Sequence, residues 1–216
     1  MKKLLKSYQF QLISRIMLFI SGLTGIILQL WKNGGANMLL YYTILSNILV
    51  TSFVGYLIIL MIKKDSRYQT NNFLRAKTSV TMAILITFVI YHVMLRPLVF
   101  PEQFYRSENF LCHYIVPLWF FLEGILFDNP IQFSKFDPLK WTIIPLVYSI
   151  WAIFNGLVTK FSIPRAPDSP FPYPFLNISN IGWSGVLLSS SFILIFYIFG
   201  GYFLLILKVF LGKFFN

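Results

Sequence analysis

The sequence predicts an all-α integral membrane protein, a single membrane domain over residues 1–216 built as a six-transmembrane-helix bundle with both termini cytoplasmic. Of its 216 residues, 57% are hydrophobic and only 12% are charged. Soluble domains carry about 25% charged residues, and a domain of this size still needs a mostly polar surface in water. The mean hydropathy of +0.71 therefore indicates that much of the surface faces lipid.

Six apolar runs are long enough to cross the ~30 Å hydrocarbon layer as helices. The first run contains Arg15, lacks a small-residue cleavage site and continues past the usual length of a signal peptide, so we expect it to remain as a helix. The chain shows no internal repeat and no low-complexity segment, which favours one bundle. The predicted spans are 10–30, 38–62, 78–99, 109–127, 141–159 and 182–207.

The distribution of lysine and arginine predicts the orientation. Thirteen lysines and arginines lie on the side of the membrane that holds the N-terminal segment with the first helical turns, the loops after helices 2 and 4, and the C-terminus. The other five lie on the opposite side. Positively charged loops stay cytoplasmic, so we expect a multi-pass membrane protein whose termini both lie in the cytoplasm. The net charge of +11 sits in short segments between apolar runs, a pattern that indicates anionic headgroups and excludes nucleic acid as a partner.

Polar side chains recur at one depth of the predicted bundle. In "LLYYTILSNILV" the spacing of Thr43, Ser46 and Asn47 places them on one helix face. Thr43 lies roughly 7–8 Å and His113 roughly 6 Å inside the outer ends of helices 2 and 4, at 1.5 Å per residue. Polar groups in lipid face the interior and mark function, so we expect a polar pocket. Helices 3, 5 and 6 bring further candidates to this side: His92, Arg96, Asn155 and Trp183.

Thr43 and His113 form a candidate nucleophile and general base, because a hydroxyl attacks well once a base removes its proton and histidine titrates near neutrality. We expect Ser46 and Asn47 to hold water or the oxyanion, and Arg96 to bind an anionic head group. No acidic third member is evident at this depth, so the imidazole could be oriented by Asn47, by Asn155 or by a backbone carbonyl. The competing interpretation is packing, since Ser and Thr in membrane helices often bond to the i−4 carbonyl.

Other polar residues have structural interpretations. Glu123 lies about 15 Å further along helix 4 than His113 and at the depth of Arg15, which predicts a buried Arg15–Glu123 ion pair. His92 and His113 without a nearby carboxylate or thiol are too few for a metal site, and we expect no cofactor. Cys112 points about 100° away from His113 and is interpreted as packing.

The last outer connection, "KFSIPRAPDSPFPYPFLNISN", is rich in proline and phenylalanine. Proline favours an extended, semi-rigid backbone. Such an apolar loop either lies back on the mouth of the bundle or merely spans the gap between two helix ends.

The segments "YYTILSN", "HYIVPLWFFLEGILF" and "YPFLNISNIGW" together resemble the androgen-induced membrane protein family, and the resemblance extends from helix 2 to helix 6. Characterised members are threonine hydrolases of fatty acid esters of hydroxy fatty acids. The resemblance implies that Thr43 is the nucleophile and that His113, four residues before Pro117, is the second catalytic residue. It also implies a bacterial-type relative, although such relatives tend to have aspartate at the position of Glu123.

Two functions follow from the sequence. The first is an intramembrane hydrolase of lipid esters whose partner is a membrane lipid substrate. The alternative is a non-catalytic membrane protein, either a small-solute transporter or a lipid-binding scaffold. Transporters often show inverted repeats and broken helices, and neither is visible in the sequence.

Overall fold

The structure is a computed structural model that describes residues 2–166 and 169–215, and this part of the chain contains helices and no strand. Six helices are long and apolar enough to cross a membrane, which confirms the predicted number. In chain order they are α1 Tyr8–Asn33, α2 Tyr42–Ile62, α3 Asn71–Leu98, α4 Ser107–Leu126, α5 Asp137–Thr159 and α6 Ile178–Phe215.

Successive helices run in alternating directions, so the start of α1 and the end of α6 lie at the same end of the bundle, here called the termini end. The opposite end, where α1 leads into α2, is called the site end. Short helical turns fill the connections: Lys2–Leu5, Gly35–Leu40, Ser66–Gln69, Pro101–Phe104 and Pro174–Leu176.

Helices α2 and α3 form the centre of the bundle. Over their most apolar windows 56% and 50% of residues are buried, against 28% in α1 and 22% in α6. One core cluster joins the first four helices through Leu18, Val50, Ile84 and Phe120, each at most 1% exposed. A second cluster packs α5, α6 and the loop between them against α2 and α3.

All six helix starts differ from the prediction, by two to seven residues, and two of the differences bear on the site and on the buried charges. Helix α2 begins at Tyr42 and not at residue 38, because the chain turns through positive φ at Gly34 and Gly35, forms a 3₁₀ turn and then extends at Tyr41. Helix α3 begins at Asn71 and not at residue 78, because Thr70 caps it by accepting a hydrogen bond from the Phe73 N–H. Thr43 therefore lies in the first turn of its helix.

Three helices widen into a π turn at the site end: α3 at Tyr91–Leu95, α4 at Leu111–Ile115 and α5 at Asn155–Thr159. The first two end two residues before Pro97 and Pro117. Proline lacks an N–H and its ring clashes with the i−4 carbonyl, so the preceding turn adopts wider i−5 bonds. Leu111 O accordingly accepts from the Val116 N–H.

The loop between α5 and α6 lies on the mouth of the bundle at the site end. Pro164 packs so closely on Gly34 that a Cβ there would meet it at 2.5 Å. The Asn37 side chain donates to the Ser162 backbone carbonyl at 3.1 Å, and the Tyr41 hydroxyl donates to the Pro164 carbonyl. Of the two interpretations of this loop, the structure therefore corresponds to the one in which it folds back on the bundle.

Candidate active site

Thr43 and His113 meet at the site end, although 70 residues separate them in the chain. Thr43 Oγ1 lies 3.3 Å from His113 Nε2, and each residue is 8% exposed. Thr43 is the second residue of α2, and His113 is the central residue of the π turn of α4. The pair has the spacing that proton transfer from a hydroxyl to an imidazole requires, allowing for the longer bonds of an empty site.

The backbone fixes the tautomer of His113. Its Nδ1 lies 3.0 Å from the Asn109 carbonyl oxygen, which can only accept a hydrogen bond. The proton of a neutral imidazole therefore sits on Nδ1, and Nε2 presents its lone pair to Thr43. Of the three orienting groups considered from the sequence, the backbone carbonyl is the one that the structure places on the ring.

Tyr91 and Asn109 hold the imidazole from its other sides. The ring of Tyr91, on the π turn of α3, stacks on His113 with centroids 3.7 Å apart and planes 23° apart. The Asn109 side chain donates to the Tyr91 hydroxyl at 2.5 Å and to the Phe104 carbonyl at 3.0 Å. Both rings are thus locked to the same asparagine, and an aromatic face can also stabilise an imidazolium.

Ser46 and Asn47 lie one turn beyond Thr43 but do not point at its hydroxyl. Asn47 donates to the carbonyls of Thr43 at 2.7 Å and Cys112 at 3.0 Å, and it therefore ties α2 to α4. Ser46 lies 3.1 Å from the Thr43 carbonyl and 2.8 Å from the Thr87 hydroxyl. Because these donors are already committed, neither residue has one left for an oxyanion. The Asn47 side-chain oxygen has no hydrogen-bond partner, so the expectation that these residues hold water stays a prediction.

The group nearest to such a role is Tyr173, which the sequence analysis did not single out beyond its place in "YPFL". Tyr173 shares the walls of both cavities beside this site with Thr43, and its ring packs edge-on against Tyr41. Burial raises the pKa of the Tyr173 phenol, so it remains protonated and can donate a hydrogen bond. The loop brings this donor to the start of α2, where backbone N–H groups lack helical partners.

Two cavities adjoin Thr43. The larger, about 330 Å³ and here called the polar cavity, includes Gln29, Gln103, Asn109, His113 and Arg165 in its walls. The smaller, about 60 Å³ and here called the apolar crevice, runs between α3, α5 and α6. Four residues line both cavities: Thr43, Tyr91, Leu95 and Tyr173.

Four of the sequence candidates lie elsewhere. His92 is exposed, and its Nδ1 lies 3.1 Å from the Tyr114 hydroxyl. Neighbouring side chains on a helix point about 100° apart, so His92 points away from the site because Tyr91 points toward His113. Arg96 is exposed and lies over the Phe104 ring at 4.7 Å. Trp183 is 52% exposed, beyond the non-helical Gly182.

Asn155 is the fourth, and it is fully buried beneath the loop. Its amide donates to the carbonyls of Phe161 at 3.3 Å and Pro170 at 3.0 Å, while its oxygen accepts from the Phe161 N–H at 3.2 Å. It holds the loop backbone in place and does not touch Thr43 or His113.

Arg15 and Glu123 also come together, at the termini end. Arg15 Nε lies 2.5 Å from Glu123 Oε1, and the two residues are each 2% exposed. The structure extends this pair into a chain of buried charges, because Lys77 bridges Glu123 and Asp128 and Lys208 also contacts Asp128, at 2.8 Å. Although burial opposes ionisation, the two lysines hold the pKa of Asp128 below its usual range.

In the described part of the chain, no group of three or more His, Cys, Asp and Glu side chains is arranged to hold a metal ion. Comparisons with protein-family models, curated proteins and solved structures find no match to this chain. The resemblance to the androgen-induced membrane protein family therefore stays a prediction that rests on the quoted residues.

Proposed function

We propose that the chain is an intramembrane hydrolase of fatty acyl esters, with Thr43 as nucleophile and His113 as general base. The observation that carries the proposal is the relay from the Thr43 hydroxyl to His113 Nε2 and from Nδ1–H to the Asn109 carbonyl. The resemblance to threonine hydrolases supports the same two residues. Six helices of membrane-spanning length suit a substrate that stays in the bilayer.

The reaction follows the tautomer of His113. Thr43 Oγ1 attacks the ester carbonyl carbon while Nε2 takes its proton, giving a tetrahedral intermediate and an imidazolium. When the intermediate collapses, the bond to the alcohol oxygen breaks and Nε2 returns the proton to that oxygen. Water, deprotonated by Nε2, then attacks the acyl group on Thr43, and Thr43 recovers its proton as the fatty acid leaves.

The negative charge of the intermediate needs donors that are in place before the reaction. We assign this role to the Tyr173 hydroxyl, because Tyr173 shares the walls of both cavities with Thr43, and to the backbone N–H groups of the first turn of α2, which have no helical partners. The positive end of the α2 dipole adds to the same effect. The imidazolium is stabilised in turn by the Asn109 carbonyl and by the face of Tyr91.

We further propose that the site end faces the outside and that the termini end is cytoplasmic, on the lysine and arginine bias. The nucleophile then lies in the outer leaflet, where a lipid ester reaches it without leaving the membrane. The transporter and scaffold alternatives have no observation of similar specificity in their favour.

The test is turnover of a long-chain fluorogenic acyl ester by the full chain in lipid nanodiscs. Thr43→Ala and His113→Ala should each lower kcat by roughly 10²–10⁴-fold, the contribution of a general base and its nucleophile. Because the two act as a unit, the double variant should be little slower than either single variant. Thr43→Ser should retain turnover, and a fluorophosphonate should label the wild type but not Thr43→Ala.

The chain offers matched controls. Thr24 is an exposed threonine of α1 and His92 is an exposed histidine outside the site, so Thr24→Ala and His92→Ala should keep the wild-type rate. Wild-type turnover in folded Thr43→Ala would end the hydrolase proposal.

A further inference from the structure

Thr43 lies in the wall that separates two cavities of different chemistry. The polar cavity has the polar side chains of Gln29, Gln103, His113 and Arg165 in its walls, beside apolar residues such as Met38, Leu98 and Val99. The apolar crevice on the other side of Thr43 has Ile86, Ile90, Leu176 and Ile193. An ester bond held at Thr43 would therefore have one half in each cavity.

The apolar crevice also has hydroxyl groups in its walls. Thr43 and Tyr173 lie where it adjoins the polar cavity, Thr87 pairs with Ser46, and the Tyr91 hydroxyl accepts from Asn109. The other three are committed to backbone carbonyls. Tyr42 donates to Ala83 O at 3.0 Å, Tyr148 to Leu40 O at 2.9 Å and Ser149 to Pro145 O at 2.8 Å. An occupant of the crevice thus meets hydrocarbon and ring surfaces. Such a lining suits an acyl chain and excludes an alcohol head group, which would lose its hydrogen bonds to water.

The crevice has α5 on one side, at Pro145 and Ser149, and α6 on another, at Ile193. Helix α6 packs on the first turn of α5, where Gly201 approaches Pro138 and the Tyr197 hydroxyl donates to the Trp141 carbonyl at 3.1 Å. The rest of α5 makes few contacts with α6, so the two helices part toward the site end. An acyl chain that enters sideways from the bilayer would pass between these two helices, beside the turn Pro174–Leu176 that contacts both.

We infer that the apolar crevice binds the acyl chain of the substrate and that the polar cavity takes its alcohol portion. The inference rests on the proposed function and specifies its substrate class: esters of one fatty acyl chain with a polar alcohol. The released alcohol leaves through the polar cavity, and the fatty acid returns to the bilayer between α5 and α6. The length of the crevice then sets the preferred chain length.

Thiol protection tests the location of the chain without any turnover. Ser149→Cys places a reporter of nearly the same size in the crevice, Ala166→Cys places one in the polar cavity, and Ser191→Cys places one on the exposed face of α6. The native Cys112 is fully buried and should react slowly. In nanodiscs, palmitate should slow the reaction of a membrane-permeant maleimide severalfold at Ser149→Cys and leave the rates at Ala166→Cys and Ser191→Cys unchanged.

Protection by palmitate at Ala166→Cys but not at Ser149→Cys would reverse the assignment of the two cavities. Equal rates with and without palmitate at all three positions would remove the crevice as an acyl site. Each outcome applies whether or not the protein hydrolyses the esters offered, so the crevice is tested separately from the proposed function.

Chain-length selectivity provides the second test. Ile193→Trp would fill the crevice. We divide kcat/KM for a short-chain ester by kcat/KM for a long-chain ester, and we expect this ratio to rise by about tenfold or more in the variant. A methylene group that no longer fits its pocket lowers kcat/KM by about that factor. Ile195→Trp, on the same helix but 52% exposed, is the matched control and should keep the wild-type ratio.

If hydrolysis requires Thr43 and Ile193→Trp leaves the ratio unchanged, the inference fails while the proposed function stands. If no variant and no wild type hydrolyses an ester, the proposed function fails and thiol protection alone decides the crevice.

Discussion

At the scale of single residues, the group that orients His113 is the backbone carbonyl of Asn109, where the Ser-His-Asp hydrolases have a carboxylate. A carbonyl orients the imidazole as well as a carboxylate does, but it offers less compensation for the charge of an imidazolium. In a lipid-surrounded site the difference favours the carbonyl, because a third ionised side chain would itself need a buried partner. Under the proposed function, Thr43 and His113 would thus form a neutral relay before an ester binds.

Tyr173 carries the first residue-scale prediction. Tyr173→Phe removes the phenol hydroxyl beside Thr43 but keeps the ring that packs between Tyr41 and Phe175. Loss of one oxyanion donor should lower kcat by roughly 10²–10³-fold with KM little changed. Kinetics with the acyl ester in nanodiscs measure both parameters, and Tyr105→Phe, at a ring that is 73% exposed, is the control.

A merely structural role for Tyr173 would give a different result. Thermal stability would fall together with activity, and fluorophosphonate labelling of Thr43 would remain unchanged in rate. A wild-type kcat in Tyr173→Phe would remove the phenol from the mechanism.

The sequence could predict Thr43 and His113 as neighbours because helical rise converts residue number into depth, and both residues belong to strongly apolar spans. Tyr173 was not predictable in the same way. It lies on a loop, and neither rise nor periodicity says where a loop side chain points. His92 and Arg96 were placed near the site because depth was used without direction around the helix.

At the scale of helices, the prolines and the π turns explain how the site end is wide enough for a site. A π turn adds one residue to a turn and displaces the side chains that follow it. Pro97 and Pro117 were visible in the sequence, but their effect on winding depends on which neighbouring helices satisfy the freed carbonyls. The prolines therefore indicate in the sequence where α3 and α4 depart from regular α-helix, but they do not indicate how large the departure is.

The buried charges at the termini end join α1, α3, α4 and α6, and Glu123 contacts two cations. Glu123→Gln would leave both Arg15 and Lys77 with one fewer anion, so we expect it to destabilise the fold by about 3–5 kcal/mol, as for other broken buried pairs. The midpoint of thermal unfolding in detergent measures the effect. Glu102→Gln, at an exposed glutamate, should leave the midpoint unchanged.

A midpoint for Glu123→Gln equal to that of the wild type would show that the pair does not stabilise the bundle. Only the Arg15–Glu123 contact was expected from the sequence. Lys77 was assigned to the loop because the start of α3 was placed seven residues too late, and Lys208 was counted among the basic residues beyond the end of helix 6. Both differences come from misplaced helix boundaries, because an uninterrupted apolar run does not show at which residue its helix begins or ends.

At the scale of the whole molecule, the two ends of the bundle have different roles. The site end is opened by π turns, covered by the loop and adjoined by two cavities, whereas the termini end is closed by four ion pairs among five buried side chains. A site needs spaces that a ligand can fill, and such spaces cost packing energy. The ion pairs join helices that the site end leaves partly separated.

The orientation of this bundle in the membrane is the remaining prediction. Three of the thirteen basic residues at the termini end, Arg15, Lys77 and Lys208, are buried in the ion cluster and cannot contact headgroups. Ten remain there against five at the site end, so the bias still favours a cytoplasmic termini end.

A reporter active only outside the cytoplasm should be inactive when fused after residue 70 and active when fused after residue 106. A fluorescent reporter that folds only in the cytoplasm should show the opposite pattern, and both reporters active at the reverse positions would place Thr43 in the inner leaflet.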